Sequence, residues 1–357
     1  MKSHTNLWPR VTSFENLYGA FRRARLGKRS RPDVAAFELD LERRHLFELQ
    51  RELVEETYRP GGYRSFVIYE PARRKISAAP FRDRVVHHAL CAVVEPLFDR
   101  VFLPHSFANR IGRGTHRALA RCQDLLRRHP YVLKADISRC FPSIDHEILG
   151  RLLTRRLRCP PTRRLIRLIL ASGAGILVEE YEMTWFPGDT LLSPLDRARG
   201  LPIGNLTSQF WANVYLHELD RFVVRELRHD AYIRYVDDVV LFGATKSELQ
   251  HAREQIAAFL PRLRLTLHPR KTQVLPATAG LPFLGFSHTP GRMRLLRASV
   301  ERFRRRLRRQ AGAFAAGGLA ASGLSASVRS WVAHASHGQT YRLRAQLLGA
   351  LRVSRSA

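Results

Sequence analysis

An apolar, strand-prone run over residues 232–242 (YIRYVDDVVLF) is interrupted by two adjacent carboxylates, Asp237 and Asp238. Its Tyr, Ile, Val, Leu and Phe content favours burial in a sheet. Ionised carboxylates inside a core cost several kcal/mol each unless cations compensate. The pattern therefore predicts two short strands joined at the acidic pair, with both carboxylates carried out of one end of a sheet. A divalent cation such as Mg²⁺ suits these hard oxygen donors. An exposed Asp-Asp turn that holds nothing is the other reading of this segment alone, because Asp is common in turns.

A third carboxylate shifts the balance. Residues 131–138 (YVLKADIS) alternate, with Tyr131, Leu133, Ala135 and Ile137 on one face and Val132, Lys134 and Asp136 on the other. If this strand neighbours the acidic turn, Asp136, Asp237 and Asp238 converge, and three carboxylates can hold two Mg²⁺ ions ~4 Å apart, the clamp used in phosphoryl transfer. Directly after Asp136, Ile137-Ser138-Arg139-Cys140-Phe141 reads as a turn whose backbone N–H groups could cradle phosphate oxygens. Phe141 is spaced to stack beneath a nucleotide sugar and leave no room for a 2′-hydroxyl, which would select deoxynucleotides. Plain core packing is its other reading.

Charge narrows the partner. Sixty Lys and Arg face 31 Asp and Glu, a formal net charge of +29. A surplus of that size argues for a polyanion, most often nucleic acid. It is carried almost wholly by arginine, whose planar fork grips phosphate at two points. An acidic membrane surface fits less well, since the charge is spread along the chain rather than gathered on one amphipathic helix. Cys91, Cys122, Cys140 and Cys159 form no C-x-x-C pair, which suits a reducing, cytoplasmic setting. The first ten residues hold no apolar signal core, and the longest apolar stretch, 165–178, is too short to span a bilayer and is broken by Arg167. No membrane association is expected.

Three regions emerge. Residues 1–64 read as a basic helical extension with a charge run (Arg22, Arg23, Arg25, Lys28, Arg29, Arg31) and, after Pro32, a helix capped by Asp33 whose Leu46, Leu49 and Leu53 fall on one face. Residues 65–288 mix helical and strand periods without a regular βαβ repeat, which predicts the α+β class. Here Asn205 can cap a helix whose Leu206, Phe210, Val214, Leu219, Phe222 and Val223 trace an apolar face. Residues 289–357 read as a small helical domain opened by the basic segment ERFRRRLRRQ. The histidines show no ligand spacing, and the tryptophans read as packing residues.

Seven blocks, in order over roughly residues 65–290, resemble those of reverse transcriptases. PARRKISAAPFRDRVVHHAL is similar to the fingers block, and SFANRIGRGTHRAL to the Gly/Arg-rich turn that follows it. KADISRCFPSID resembles the first acidic motif, GLPIGNLTSQFWANVYLHELDRFV the helix beside the nucleotide, YVDD the Y-x-D-D turn, LTLHPRKTQV the next block, and LPFLGF the palm–thumb strand. The resemblance implies a right-hand polymerase fold of fingers and palm with a C-terminal helical thumb. It implies catalysis by Asp136, Asp237 and Asp238, two Mg²⁺ held by these residues and Ile137, and dNTP substrates. Arg74, Lys75, Arg139, Cys140, Phe141, Ile203, Gly204 and Gln209 are the implied nucleotide contacts, with Arg82 and Arg84 weaker candidates on the triphosphate. Arg110, Arg113 and Lys271 would meet an RNA template and a DNA or RNA primer.

One block is more particular. Many reverse transcriptases carry Q-G-x-x-x-S-P where this chain has I-G-x-x-x-S-Q, from Ile203 to Gln209. That variant is similar to diversity-generating retroelement enzymes, which copy a template RNA with errors at adenine and work with a small basic accessory protein. An apolar Ile203 in place of an amide removes a polar contact near the base pair and narrows the gap between right and wrong nucleotides; packing of the helix by Ile203 and Gln209 is the plainer reading. The alternatives are a reverse transcriptase of another bacterial type, intron- or phage-defence-associated, and a catalytically silent RNA-binding protein. The chain looks too short for the maturation and endonuclease domains of many intron proteins. The segment 179–200 looks like an insertion, a loop or small hairpin with no assigned role.

Overall fold

Strands β1 (Arg64–Ile68) and β2 (Arg74–Ala78) pair antiparallel, with Phe66 opposite Ile76, and form a separate two-stranded ribbon. The computed structural model describes residues 4–41, 45–69 and 73–349. A four-stranded antiparallel sheet lies at the centre. Its members are β3 (Tyr131–Asp136), β4 (Tyr232–Tyr235), β5 (Asp238–Gly243) and β6 (Gln273–Pro276), in the order β4-β5-β3-β6. A three-stranded antiparallel sheet follows: β7 (Leu281–Phe283), β8 (Phe286–Thr289) and β9 (Arg292–Leu295). The separated strands and helices bear out the α+β expectation.

Both faces of the central sheet are covered. Leu133, Ala135 and Ile137 enter the main core with Tyr232, Val239 and Leu241. Val132, on the opposite face, joins a second core with Ile233, Val240, Phe242 and residues of the helix Gly114–Arg128 and of β7 and β8. The alternation read from the sequence is therefore not one buried and one wet face: a buried β-branched residue stands on each side, and the polar character of Lys134 and Asp136 marks the end of the strand that opens outward.

The main core is organised by the helix Phe81–Asp99, buried on most sides through Val85, Val86, Ala89, Leu90, Val93 and Val94. Against it lie the helices Phe14–Ala24 and Leu206–Arg221. Leu46, Leu49 and Leu53 are buried as the periodicity demands, in the same core as Leu133 and Phe210, but they lie on a helix of their own, Leu46–Val54, and not on the one that starts at Pro32 and ends at Leu39. The segment expected to be an extension is thus built into the core of the mixed region. Asp33 does not cap its helix. Pro32 opens the helix Pro32–Leu39, Arg31 is the capping residue, and Asp33 lies in the first turn, where its charge suits the helix dipole. Two of the six cations of the charge run, Arg25 and Arg29, share one carboxylate, Glu38.

Past the sheets the chain is helical, through Arg297–Ala315, Ala321–Ala335 and Tyr341–Gly349. Phe303 and Trp331 stack with centroids 3.9 Å apart and lock the first two together. The expected boundary at 288/289 cuts through β8, so the helical part begins after β9 instead. Residues 179–200 form an irregular loop with a short 3₁₀ turn at Val178–Glu180 and a single helical turn at Ser193–Asp196; no hairpin forms. Among the described residues no helix is long and apolar enough to cross a membrane.

Because Leu49 is fully buried in the main core, Leu49→Ala should lower global stability by about 2–5 kcal/mol in equilibrium denaturation. A loss well under 1 kcal/mol would show that the N-terminal helices stand apart from the rest.

Candidate active site

Strands β4 and β5 close on Tyr235 opposite Asp238, leaving Val236 and Asp237 as the turn. Val236 has φ +57°, a conformation that β-branched residues avoid. A positive φ at the first turn position gives a tight hairpin the twist of its strands. The strain is held by Arg234, two residues back. Its guanidinium lies beneath the turn and donates to the carbonyl of Val236 at 3.0 Å. The same group makes a two-point bond to Asp220 of the helix Leu206–Arg221, Nε to Oδ1 and Nη2 to Oδ2 both at 2.7 Å. It also reaches Asn213 Oδ1 and Ser106 Oγ, each at 3.2 Å. Tyr232 donates its hydroxyl to Asp220 at 2.8 Å. Both ions are inaccessible to solvent. Burial alone would push the Asp220 carboxyl up; Arg234 outweighs it and holds the group well below the usual carboxylate range.

The third carboxylate arrives through strand register. Asp136 is directly opposite Asp238 across β3 and β5, a placement that sets Cα atoms about 4.5–5.5 Å apart. Ile137 N–H donates to the Asp237 carbonyl at 3.4 Å, and His268 N–H donates to that of Asp136 at 2.7 Å, so backbone bonds fix the three acidic positions to one sheet edge. Their proximity shows in their protonation. Burial first, then the charges of Asp238 and Asp136, push the Asp237 carboxyl up to about 6, while Arg74 works against the shift. Burial and Asp136 also raise Asp238, against Lys134, Lys271 and Arg74.

The side chains do not form a closed cage. Asp136 Oδ2 accepts from Lys271 Nζ at 2.9 Å, and among the described residues no three His, Cys, Asp or Glu side chains converge as a metal-binding set. The expected convergence is present in the backbone and incomplete in the carboxylates. The donor set still suits a hard cation: oxygen ligands only, half-buried, mutually repelling, with an ammonium group already drawn onto one of them. Lys271, expected on nucleic acid, is this ammonium group.

The remaining expected contacts divide. Arg74 stands at the start of β2, exposed, and acts electrostatically on Asp237 and Asp238. Lys75 Nζ lies 3.6 Å from Glu179, and Arg139, in the left-handed conformation at φ +43°, lies 3.7 Å from Glu180. Phe141 is half-buried against the main core, and its carbonyl accepts from Leu201 N–H at 2.9 Å. The Cys140 side chain is in the core at 2% exposure, where burial pushes its thiol well up, so only its backbone could meet a nucleotide. The 137–141 turn is also less open than expected, since Ile137 N–H bonds to Asp237 and Ser138 N–H to the Thr266 carbonyl at 2.8 Å. Arg82 pairs with Glu52, and Arg84 donates to the Ala79 carbonyl at 2.8 Å, which turns both away from a triphosphate role.

Arg110 is a correction. It is buried, bonded to Asp99 Oδ1 at 2.6 Å and to the carbonyls of Leu103 and Ser106 at 2.7 and 3.0 Å, and it shapes the loop beside β4 instead of facing solvent. Arg113 caps the helix Gly114–Arg128 by position, half-buried, with its guanidinium 5.9 Å from the Phe107 ring. Ile203 is half-buried and accepts from Ser77 N–H at 2.8 Å, while Gln209 is exposed on its helix. Gly204 has φ +115°, and a Cβ there would sit 2.9 Å from Ile76 Cγ2, so β2 passes where only glycine fits. Asn205 occupies the capping position without capping. Its amide instead accepts from Ala79 N–H at 3.0 Å and donates to the Ser77 and Pro202 carbonyls at 2.8 and 3.0 Å, clamping β2 to the helix that carries Asp220.

Sequence reading missed Asp220 and Asp145. Asp145 is fully buried, accepts from Ile148 N–H at 2.9 Å as a helix cap, and receives Arg264 at 2.5 Å and Arg197 at 3.5 Å. For Asp220 the available signal was its place on the helix face shared by Leu216, Leu219 and Val223; for Asp145 it was a cap residue ahead of a helix, whose partners Arg197 and Arg264 come from distant segments.

Residues 70–288 match the family of reverse transcriptases (RNA-dependent DNA polymerases), and the chain belongs to that family. Membership implies the right-hand polymerase fold, with which the mixed helix and sheet agree. It is 23% identical over 302 residues to the group II intron-encoded protein LtrA of Lactococcus lactis subsp. cremoris, covering 66% of this chain and 48% of that protein. It is 25% identical over 279 residues to the protein YkfC of Escherichia coli, covering 66% of this chain and 69% of the other. An uncharacterized 91 kDa protein in the cob intron of Schizosaccharomyces pombe is 30% identical over 155 residues, 42% of this chain and 17% of that protein.

Removing one partner of a buried ion pair leaves the other charge uncompensated. Asp220→Ala should therefore cost about 3–5 kcal/mol of stability, read as a depressed midpoint in thermal or urea unfolding. A near-neutral result would show that Arg234 finds another partner and that the turn does not depend on the pair.

Proposed function

We propose that the protein is an RNA-directed DNA polymerase that extends a DNA or RNA primer on an RNA template with dNTPs. The observation that carries this reading is the register that sets Asp136 opposite Asp238, with Asp237 at the adjoining turn. Asp136, Asp237 and Asp238, with the carbonyl of Ile137, are the residues to hold Mg²⁺, which when bound activates the primer 3′-hydroxyl and stabilises the pyrophosphate leaving group. Arg74, Lys75 and Arg139 supply positive charge for the triphosphate, and Phe141 is the wall beneath the sugar. Template and primer are held mainly through phosphates by the arginine surplus, so affinity should fall linearly in log–log terms with salt.

The finer reading is a diversity-generating retroelement enzyme, error-prone at adenines, cytoplasmic and working with a small basic accessory protein. The Ile203–Gln209 sequence supports it. A group II intron-type enzyme is the second reading, favoured by the intron-encoded proteins among the relatives. Sequencing cDNA made on an adenine-containing template separates the two: errors concentrated opposite adenine support the first, and uniform fidelity the second.

Mg²⁺-dependent primer extension tests the polymerase itself. Asp237→Asn should abolish synthesis while RNA binding stays within about twofold, since the substitution removes a metal ligand and no phosphate contact. Synthesis that survives this change would remove the metal-centred reading, and a wild-type protein that binds RNA without extending a primer would indicate a silent RNA-binding role.

A further inference from the structure

The 179–200 loop is not loosely attached. Arg197 bonds to Asp189 at 2.5 Å and reaches Asp145 at 3.5 Å, Arg199 stacks on Tyr181 at 3.7 Å, and Gly200 N–H and the Ala198 carbonyl bond to the backbone of Ile144 and His146. So held, the loop presents Glu179 and Glu180 to a particular set of cations. Glu180 bridges two of them from separate elements: Oε1 accepts from Arg73 at 2.8 Å, beside β2, and Oε2 lies 3.7 Å from Arg139, beside β3. Glu179 lies 3.6 Å from Lys75. Between Val178 and Asp196 the loop carries Glu179, Glu180, Glu182, Asp189 and Asp196 and no Lys or Arg, in a chain whose net charge is +29.

We propose that Glu179 and Glu180 stand in for the triphosphate of an incoming nucleotide: they occupy Lys75 and Arg139, two of the three cations assigned to the triphosphate, while the site is empty and must be displaced before a triphosphate can bind them. The inference rests on the assignment of Lys75 and Arg139 to the triphosphate. Hydrogen-bonded to Arg73 and within ion-pair distance of Arg139, the Glu180 carboxylate presents two guanidinium groups with negative oxygens of the kind a phosphate would offer. The pairs are only partly buried, with Arg73 and Arg139 about half exposed. Exposed ion pairs are individually weak, so a ligand with several negative charges can displace them. A site open in only a fraction of molecules has its apparent affinity reduced by that fraction. The loop thereby sets the nucleotide concentration at which the enzyme engages.

The test uses inorganic tripolyphosphate as probe, with binding to the full chain followed by calorimetry and no turnover required. Glu179→Gln/Glu180→Gln should bind it roughly three- to tenfold more tightly than wild type. In primer extension the KM for dNTP should fall by the same factor with kcat unchanged. Glu182→Gln, whose side chain makes no ion pair among the described residues, should leave both quantities as they are and so controls for loop charge in general. Equal or weaker tripolyphosphate binding by the double variant, absence of binding in both proteins included, overturns the proposal. An inactive wild-type protein that shows the expected tightening would count against the polymerase reading and leave the stand-in role supported.

Discussion

The Arg234–Asp220 pair is the interaction on which the acidic turn stands. In a dry interior a paired guanidinium and carboxylate gain attraction but lose hydration, so such a pair is a poor source of net stability. What it supplies is position. One guanidinium ties the long helix, the loop around Ser106 and the carbonyl of the strained Val236 to a single point. Apolar residues of equal volume would fill that space without fixing the height or direction of the turn, and Asp237 and Asp238 would lose their reference to Asp136.

A second consequence concerns where negative charge is allowed in so basic a chain. Among its buried or half-buried acids, Asp220 and Asp145 are locked to arginine, Asp83 is satisfied by the Tyr58 hydroxyl and Gly61 N–H, and those at the sheet end are crowded with only partial relief. At the sheet end, burial and neighbouring carboxylates push Asp237 and Asp238 upward, and a lysine is already drawn to Asp136 beside them. Cation binding is the natural relief for that arrangement. The loop glutamates form a third group, Glu179 exposed and Glu180 half-buried, paired to cations that are themselves partly open to solvent, and their role follows from the weakness of such pairs.

Much of this was legible in the chain itself. An acidic pair inside a strand-prone run gave the β4–β5 hairpin, and a period of two gave β3, because both signals are local. Leu46, Leu49 and Leu53 were likewise placed by helical spacing. The failures have a common cause. Asp33 and Asn205 have the chemistry of helix caps, but Pro32 shifted the start of one helix, and the Asn205 side chain is drawn instead to Ala79 N–H and the carbonyls of Ser77 and Pro202. Arg110 and Cys140 lie in motifs that face a ligand in outline, yet the fold uses their side chains for a loop and a core.

The sequence by itself determined the class of fold, the three carboxylates and the surplus of positive charge, since each depends on residue type and spacing over a few positions. Only the tertiary structure decided that Arg234 belongs to Asp220, that Asn205 clamps β2, that Lys271 lies on Asp136 and that Glu180 bridges Arg73 and Arg139. These are pairings between segments far apart in the chain. With many arginines available to each acid, charge and composition cannot choose a partner; burial and backbone path choose it.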